Sequence, residues 1–360
     1  MGASVLRVRH DKLRGIVESI LAAVGLSRED AEIAADVLVA ADARGVSSHG
    51  IMSLPGYVRQ ITQGGINPRA EITVIRESGS TCLIDGCNGM GQVVSVKATR
   101  KAIELARNYG SSVVCVRNSN HFGAGAYYAM MCARQDLIGA AISNATPVLA
   151  VPGGRGPAVG NNPISVAVPS SSGYPVVLDM ALSIAAVGKM VNIVKSGGTI
   201  PDNWIVDEEG RPSRDPSVLD RGGAALPFGG YKGYAIAVIA EILSAVLPGA
   251  AVTKELRDWL LYPDRPTLTG HFFAAIDVSC FQEPSTFKAR VSALASELRN
   301  GPKTEDSSRL LVPGDLENEA EQQSMLLGVS VPVHAWKGLL DLARDVGVEL
   351  GPVQGEGLTD

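Results

Sequence analysis

Apolar residues near the start of the chain recur with the period of an α-helix: Leu13, Ile16, Val17, Ile20, Leu21 and Val24 share one face, and Gly25 can end it. A second helix is predicted over Ala31 to Ala43, with Ser27 three residues ahead of Asp30 as a capping box. "GGINPRAEI" (64 to 72) interrupts this pattern with two glycines and a proline, and the period then changes. "ITVIRES" (72 to 78) and "TCLIDG" (81 to 86) read as strands, and residues 91 to 110 as a helix ended by Gly110. "SSVVCVRN" (111 to 118) reads as a buried strand, "AYYAMMCARQ" (126 to 135) as a helix and "LIGAAISNA" (137 to 145) as a strand. Helical periodicity returns from Ser285 to Asn300 and from residue 333 to 349, with the polar, mobile stretch 301 to 309 between. The pattern therefore predicts a mixed α/β chain with helical ends.

Residues 151 to 181 hold many of the glycines and prolines around two apolar strands, and loops of that length usually carry function, so a ligand site is expected there. The apolar stretch 234 to 252 contains Glu241 and ends at Pro248-Gly249, which suits a buried core helix better than a membrane span.

Composition narrows the function classes. The chain has 360 residues, 46% of them hydrophobic and 19% charged, enough for one large or two moderate cores. A net charge of −5 with no basic, aromatic-interleaved stretch argues against nucleic-acid partners. The N-terminus shows no signal-peptide core, and Leu6 stands where a myristoylation signal needs Ser or Thr, so a cytoplasmic protein without membrane attachment is expected. The five cysteines, Cys82, Cys87, Cys115, Cys132 and Cys280, include no C-x-x-C pair and read as plain thiols rather than a disulfide or zinc framework.

Histidine can both give and take a proton near neutral pH, so the five histidines are the candidates for acid/base work. His10 and His334 lie in charged or helical surface segments, and His271 opens a strand; all three read as structural. His49, in "RGVSSHG", and His121, at a strand end before "FGAG", stand where ligand groups gather in α/β proteins, and local sequence leaves each open between function and structure. "FGAG" is no dinucleotide fingerprint, because G-x-G-x-x-G would need glycine at Tyr128, and no P-loop occurs. A Ser/His/Asp hydrolase lacks its G-x-S-x-G elbow, and no H-x-x-x-H or H-E-x-x-H spacing supports a metal site around His49, His121, Asp179 and Asp207.

Seven segments taken in order resemble the type 2 malate/L-lactate dehydrogenases, a family that also includes ureidoglycolate and sulfolactate dehydrogenases, diketogulonate reductases and cyclic imino-acid reductases. They are "ADARGVSSHG" (41 to 50), "GGINP" (64 to 68), "SNHFGAGAYY" (119 to 128), "GNNPISVAVP" (160 to 169), "LDMALS" (178 to 183), "IPDNWIVDEEGRPSRDP" (200 to 216) and "LPFGGYKGY" (226 to 234). The resemblance implies a non-Rossmann NAD(P)-binding domain on a large mixed sheet (71–300), with a helical domain assembled from both chain ends (1–70 plus 301–360). It implies NAD or NADP as cofactor, a small-molecule substrate and a homodimer with the active site near the subunit interface. By position, His121 matches the family's proton donor/acceptor, and Ser48 and His49 match residues near nicotinamide and substrate. Asp179, Met180 and Ala181 match a cofactor-contacting strand end, Ala145 another contact, Lys232 a lysine facing cofactor oxygens, and Gly314 a late cofactor-binding turn.

One departure bears on substrate. Many members carry an arginine four residues after the histidine of "SHG", gripping the substrate carboxylate bidentately, where this chain has Ser53. Loss of such a charged pair costs about 1.5–3 kcal/mol of binding unless another cation, with Arg59 and Arg155 as candidates, replaces it. The expected activity is hydride transfer between NAD(P) and a small 2-oxo/2-hydroxy acid. The alternatives are a specialised reductase of a cyclic imine or larger ketone and, in another class, a non-catalytic cofactor-binding protein.

Overall fold

The computed structural model describes residues 5–186, 190, 193–194 and 197–350, and the backbone of 358–359. The chain opens with β1 (Val5–Val8), α1 (His10–Ala23), α2 (Arg28–Ala43) and α3 (Leu54–Gln63). The Ser27 side chain accepts the Asp30 N–H at 3.1 Å, capping α2, and Gly64 in the left-handed region ends α3. There follow β2 (Thr73–Ser78), β3 (Thr81–Asp85), α4 (Gly91–Tyr109), β4 (Ser111–Ser119), α5 (Ala126–Ala133) and β5 (Leu137–Ser143). β6 (Pro147–Leu149), β7 (Val159–Gly160), β8 (Ile164–Val168) and β9 (Val176–Met180) come next. After β10 (Ile205–Val206), β11 (Pro212–Ser213) and β12 (Ala224–Ala225) run α6 (Tyr231–Glu241), β13 (Thr269–Asp277) and α7 (Pro284–Arg299). The C-terminal part holds α8 (Asp315–Leu327), β14 (Val329–Pro332), α9 (Val333–Asp345) and β15 (Leu358–Thr359).

The fold is mixed α/β, as its pattern predicted. Seven strands form the principal sheet in the order β2-β3-β4-β13-β5-β8-β9, with β3 and β4 parallel and the other neighbours antiparallel. The two apolar strands of the 151 to 181 region are thus β8 and β9, at one edge of this sheet. Small strands make a five-stranded sheet, β11-β10-β12-β6-β7. The main core gathers Leu13, Leu38, Val94, Leu105 and Phe273, and a second gathers Leu149, Leu182, Ile205 and Ala237.

Two expectations change. The chain ends are not only helical: β1 pairs with β14 and β15 in a third sheet, which "VLRV", with its arginine, did not announce as a strand. The 234 to 252 stretch is not a buried helix either. α6 continues into a π-helical turn, Ile242–Val246, that leaves Ile236, Ile239, Ile242 and Val246 exposed along its outer side.

β13 enters late in sequence but lies between β4 and β5, and this placement fixes the end of β4. The fully buried His271 ring bonds Ser143 Oγ through Nδ1 at 2.9 Å and Ser119 Oγ through Nε2 at 2.8 Å, and stacks on Phe122 at 4.8 Å. Its reading as structural fits this geometry. Gly91, at the start of α4, lies under the same segment: a Cβ there would sit 2.3 Å from the Asn120 and His121 carbonyl oxygens, so glycine alone permits the approach.

Burial pushes the His271 imidazole down to about 3, against about 6.5 in an unfolded chain. Between those values the unfolded state takes up a proton that the folded state refuses, so stability falls as pH drops from about 6.5 to about 3, by roughly 1.4 kcal/mol per unit for this group. Chemical denaturation of His271→Gln should therefore show about 2 kcal/mol less loss between pH 7 and 5 than the unsubstituted chain. Equal losses in the two would contradict the assignment of a buried neutral His271.

Candidate active site

His121 leaves β4 and points into a cluster of rings. Its Nδ1 is 2.6 Å from Tyr57 Oη, one face stacks on Trp259 at 5.1 Å with 8° between planes, and His49 lies 5.6 Å away. Tyr57 also stacks on Trp259, at 5.0 Å. Nε2 of His121 has no hydrogen-bond partner among the described residues, and the residue is only half-buried. Enclosure of its faces pushes the imidazole down to about 3, with repulsion from His49 and His271 adding to it, while solvent at the open edge works against the shift. Enclosure likewise lowers His49, opposed by the charge of Asp179.

Two short 3-10 turns, Ser47–His49 and Ile51–Ser53, carry the "SSHG" residues between α2 and α3. Ser48 Oγ is 2.9 Å from His49 Nδ1, and the buried Ser53 hydroxyl donates back to the Ser48 carbonyl at 2.8 Å. The turn rests on Asp42 of α2, whose carboxyl accepts the Ile51 N–H at 2.7 Å. A Cβ at Gly50 would lie 2.2 Å from that carboxyl, so the glycine of "SHG" makes room for its own anchor. Burial pushes Asp42 up to about 7. Of the two substitutes for an arginine at Ser53, Arg59 donates to the Leu260 carbonyl, and Arg155 lies against Gly210 beyond β10.

The other sequence-derived residues fall into two groups. Asp179, at the end of β9, accepts from Ser165 Oγ at 2.5 Å and from the Ala126 N–H, at the start of α5, at 3.2 Å. Enclosure on its inner side pushes its carboxyl above the usual range, while its outer edge is open to solvent. Gly314 caps α8 and lies against β9, where the Val177 N–H donates to the Pro313 carbonyl at 3.0 Å. Between them opens a cavity of about 380 Å³ whose lining includes Arg44, Val46, Ala124, Tyr127, Asp179 and Gly314.

The second group meets just past β9. Ala145 N–H donates to Asn162 Oδ1 at 3.0 Å, Ser183 N–H to Asn161 Oδ1 at 2.8 Å, and Phe228 N–H to the Leu182 carbonyl at 3.0 Å. Ala145, the Met180-Ala181 strand end and the turn leading to Lys232 thus form one neighbourhood. Lys232 itself is exposed in the first turn of α6. Among the described residues no three His, Cys, Asp or Glu side chains are grouped as metal ligands. All five cysteines are free thiols.

Sequence reasoning missed Tyr57, Trp259 and Asp42. An aspartate inside the apolar "VLVAADA" stretch was a readable signal for Asp42; nothing local marked Trp259.

A family profile described as malate/L-lactate dehydrogenase matches residues 8–340. The chain is 37% identical to the malate dehydrogenase of Pyrococcus abyssi over 351 residues, 96% of each protein. It is 37% identical to the L-sulfolactate dehydrogenase of Methanothermobacter thermautotrophicus over 345 residues, 96% of this chain and 98% of that one. The crystal structure of malate dehydrogenase from Entamoeba histolytica superposes with a TM-score of 0.91 at 33% identity, covering 96% of this chain and 99% of the other. The protein is therefore an oxidoreductase of the dehydrogenase/reductase class. It belongs to the malate/L-lactate dehydrogenase family.

Removing the anchor of the 47–53 turn tests its role. Asp42→Ala leaves the Ile51 N–H without a partner and opens space beneath Gly50, and should cost about 1–3 kcal/mol of stability. Denaturant melts read this directly; an unchanged midpoint would show that the turn stands without Asp42.

Proposed function

We propose that the protein transfers hydride between NAD(P) and a small 2-oxo or 2-hydroxy acid, with His121 giving or taking the proton at the substrate oxygen. The observation carrying this reading is the His121 ring, held at Nδ1 by Tyr57 with Nε2 open. Burial raises the Tyr57 phenol well above its usual range, so it stays protonated and can accept Nδ1–H. Proton exchange is then confined to Nε2. In oxidation the neutral ring takes the alcohol proton there. In reduction the imidazolium donates it, and the negative charge of a bound oxo acid favours that protonated form.

The residues present fit a nicotinamide dinucleotide. The cavity beside Asp179 combines a carboxylate able to accept hydroxyls, backbone at Gly314 left bare of a side chain, and the Arg44 and Arg134 side chains for phosphate oxygens. Asp179 and Gly314 would hold the cofactor there, with Ala145, Met180, Ala181 and Lys232 along the adjoining strand end. Ser48 and His49 would lie at the junction with the substrate. When bound, the nicotinamide supplies or accepts the hydride. Whether NAD or NADP is used, a titration with each would decide.

A second reading, reduction of a cyclic imine or a larger ketone, is favoured by Ser53, whose hydroxyl is turned into its own turn and offers no charge. We also read the protein as a cytoplasmic homodimer. The exposed apolar side of α6 supports self-association, and among the described residues no helix is long and apolar enough to cross a membrane.

The test is loss of NAD(P)H absorbance with a panel of oxo acids and cyclic imines. His121→Ala should lower kcat roughly 10²–10⁴-fold while fluorescence titration still shows NAD(P)H binding. Because burial lowers the His121 pKa, kcat/KM for reduction should rise as pH falls from 8 to 6. Near-normal turnover by His121→Ala would overturn its assignment.

A further inference from the structure

The loop between the π-helical turn and β13 places Trp259 on the ring that we assign to proton transfer. Nothing in the family motifs points to this residue, and its surroundings are built for it. The loop closes on itself through Arg257 N–H to the Thr267 carbonyl at 3.4 Å, and the Asp258 carboxylate accepts the Leu260 and Leu261 N–H groups at 2.8 and 2.9 Å. Thr267 Oγ1 lies 2.9 Å from Asn120 Oδ1, next to His121. Arg59 secures the Leu260 carbonyl from α3. The loop is thus tied at both ends and in its middle.

Across from it, α3 makes a berth for the indole. A Cβ at Gly56 would stand 2.4 Å from Trp259 Cζ3, so any larger residue there displaces the ring. With Gly56 in place, the indole covers one face of His121 and one face of Tyr57 together. Ser53, where the family resemblance implies an arginine, turns its hydroxyl to the Ser48 carbonyl. Without a ligand, enclosure works against a charge on either imidazole, His121 or His49.

We infer that Trp259 sets substrate choice: seated in the Gly56 berth, it gives the substrate an aromatic wall beside His121. The enzyme therefore selects oxo acids whose group beyond the reacting carbon is uncharged and apolar, planar ones above all. A second carboxylate would have to shed water against indole carbon without a partner, whereas a flat apolar group stacks there. This inference rests on the hydride-transfer reading above.

The experiment compares phenylpyruvate with oxaloacetate on the full chain with NAD(P)H, by kcat/KM and, separately, by ligand-induced change in protein fluorescence. The unsubstituted enzyme should favour phenylpyruvate at least tenfold. Trp259→Ala should collapse that ratio at least tenfold, mainly through KM for phenylpyruvate. Trp259→Phe should restore part of it, and Gly56→Ala, which keeps the indole but crowds its berth, should lower it as well. A preference for oxaloacetate, or a ratio unmoved by Trp259→Ala, would overturn the inference while leaving hydride transfer intact. Binding that discriminates through Trp259 with no turnover of any oxo acid would overturn the hydride-transfer reading instead, and support the role of Trp259 in recognition.

Discussion

The chain directly after β4 has almost no room to move, and the site depends on that confinement. The N-terminus of α4 presses a bare glycine against the carbonyls of Asn120 and His121. β13 inserts beside β4 and fastens Ser119 through the buried His271. Asn120 is held from Asn88, Gly89 and Thr267. His121 thus emerges from a backbone fixed on several sides, which suits the proton-transfer role we propose for it, since such a group gains from being positioned in advance.

Around that fixed point the electrostatics favour neutral groups. His49, His121 and His271 are all pushed down, and Asp42 and Asp179 are pushed up, in each case chiefly by enclosure. The charge of a bound ligand therefore bears on the protonation of His121. The aromatic stack of Tyr57 and Trp259 works in the same direction, walling the imidazole with apolar surface while Tyr57 holds its Nδ1.

Local regularities were legible from sequence where they depend on neighbours along the chain. The Ser27 cap, the α1 stripe, the Gly110 stop and the strand ending before His121 all fit that description. Two-residue strands such as Ala224–Ala225 were not, because pairing rather than pattern makes them strands. Ordered motifs pointed to His121, His49, Asp179 and Gly314, and the structure gathers these around one cavity and its adjoining ring cluster. Tyr57 and Trp259 escaped notice because their importance lies in contacts across long sequence separations. A tyrosine in an amphipathic helix and a tryptophan in a polar loop look ordinary until the chain folds them onto one imidazole.

The central claim is that His121 passes a proton at Nε2 in concert with hydride transfer. Single-turnover reduction of an oxo acid, run with NAD(P)H and its 4-deuterated form in H2O and D2O, tests it most directly. The account predicts that deuterium in the cofactor and in the solvent each slow the same step, and that the solvent effect disappears in the residual activity of His121→Ala. A primary effect from the cofactor with no solvent effect in the unsubstituted enzyme, or a solvent effect that survives in His121→Ala, would contradict it.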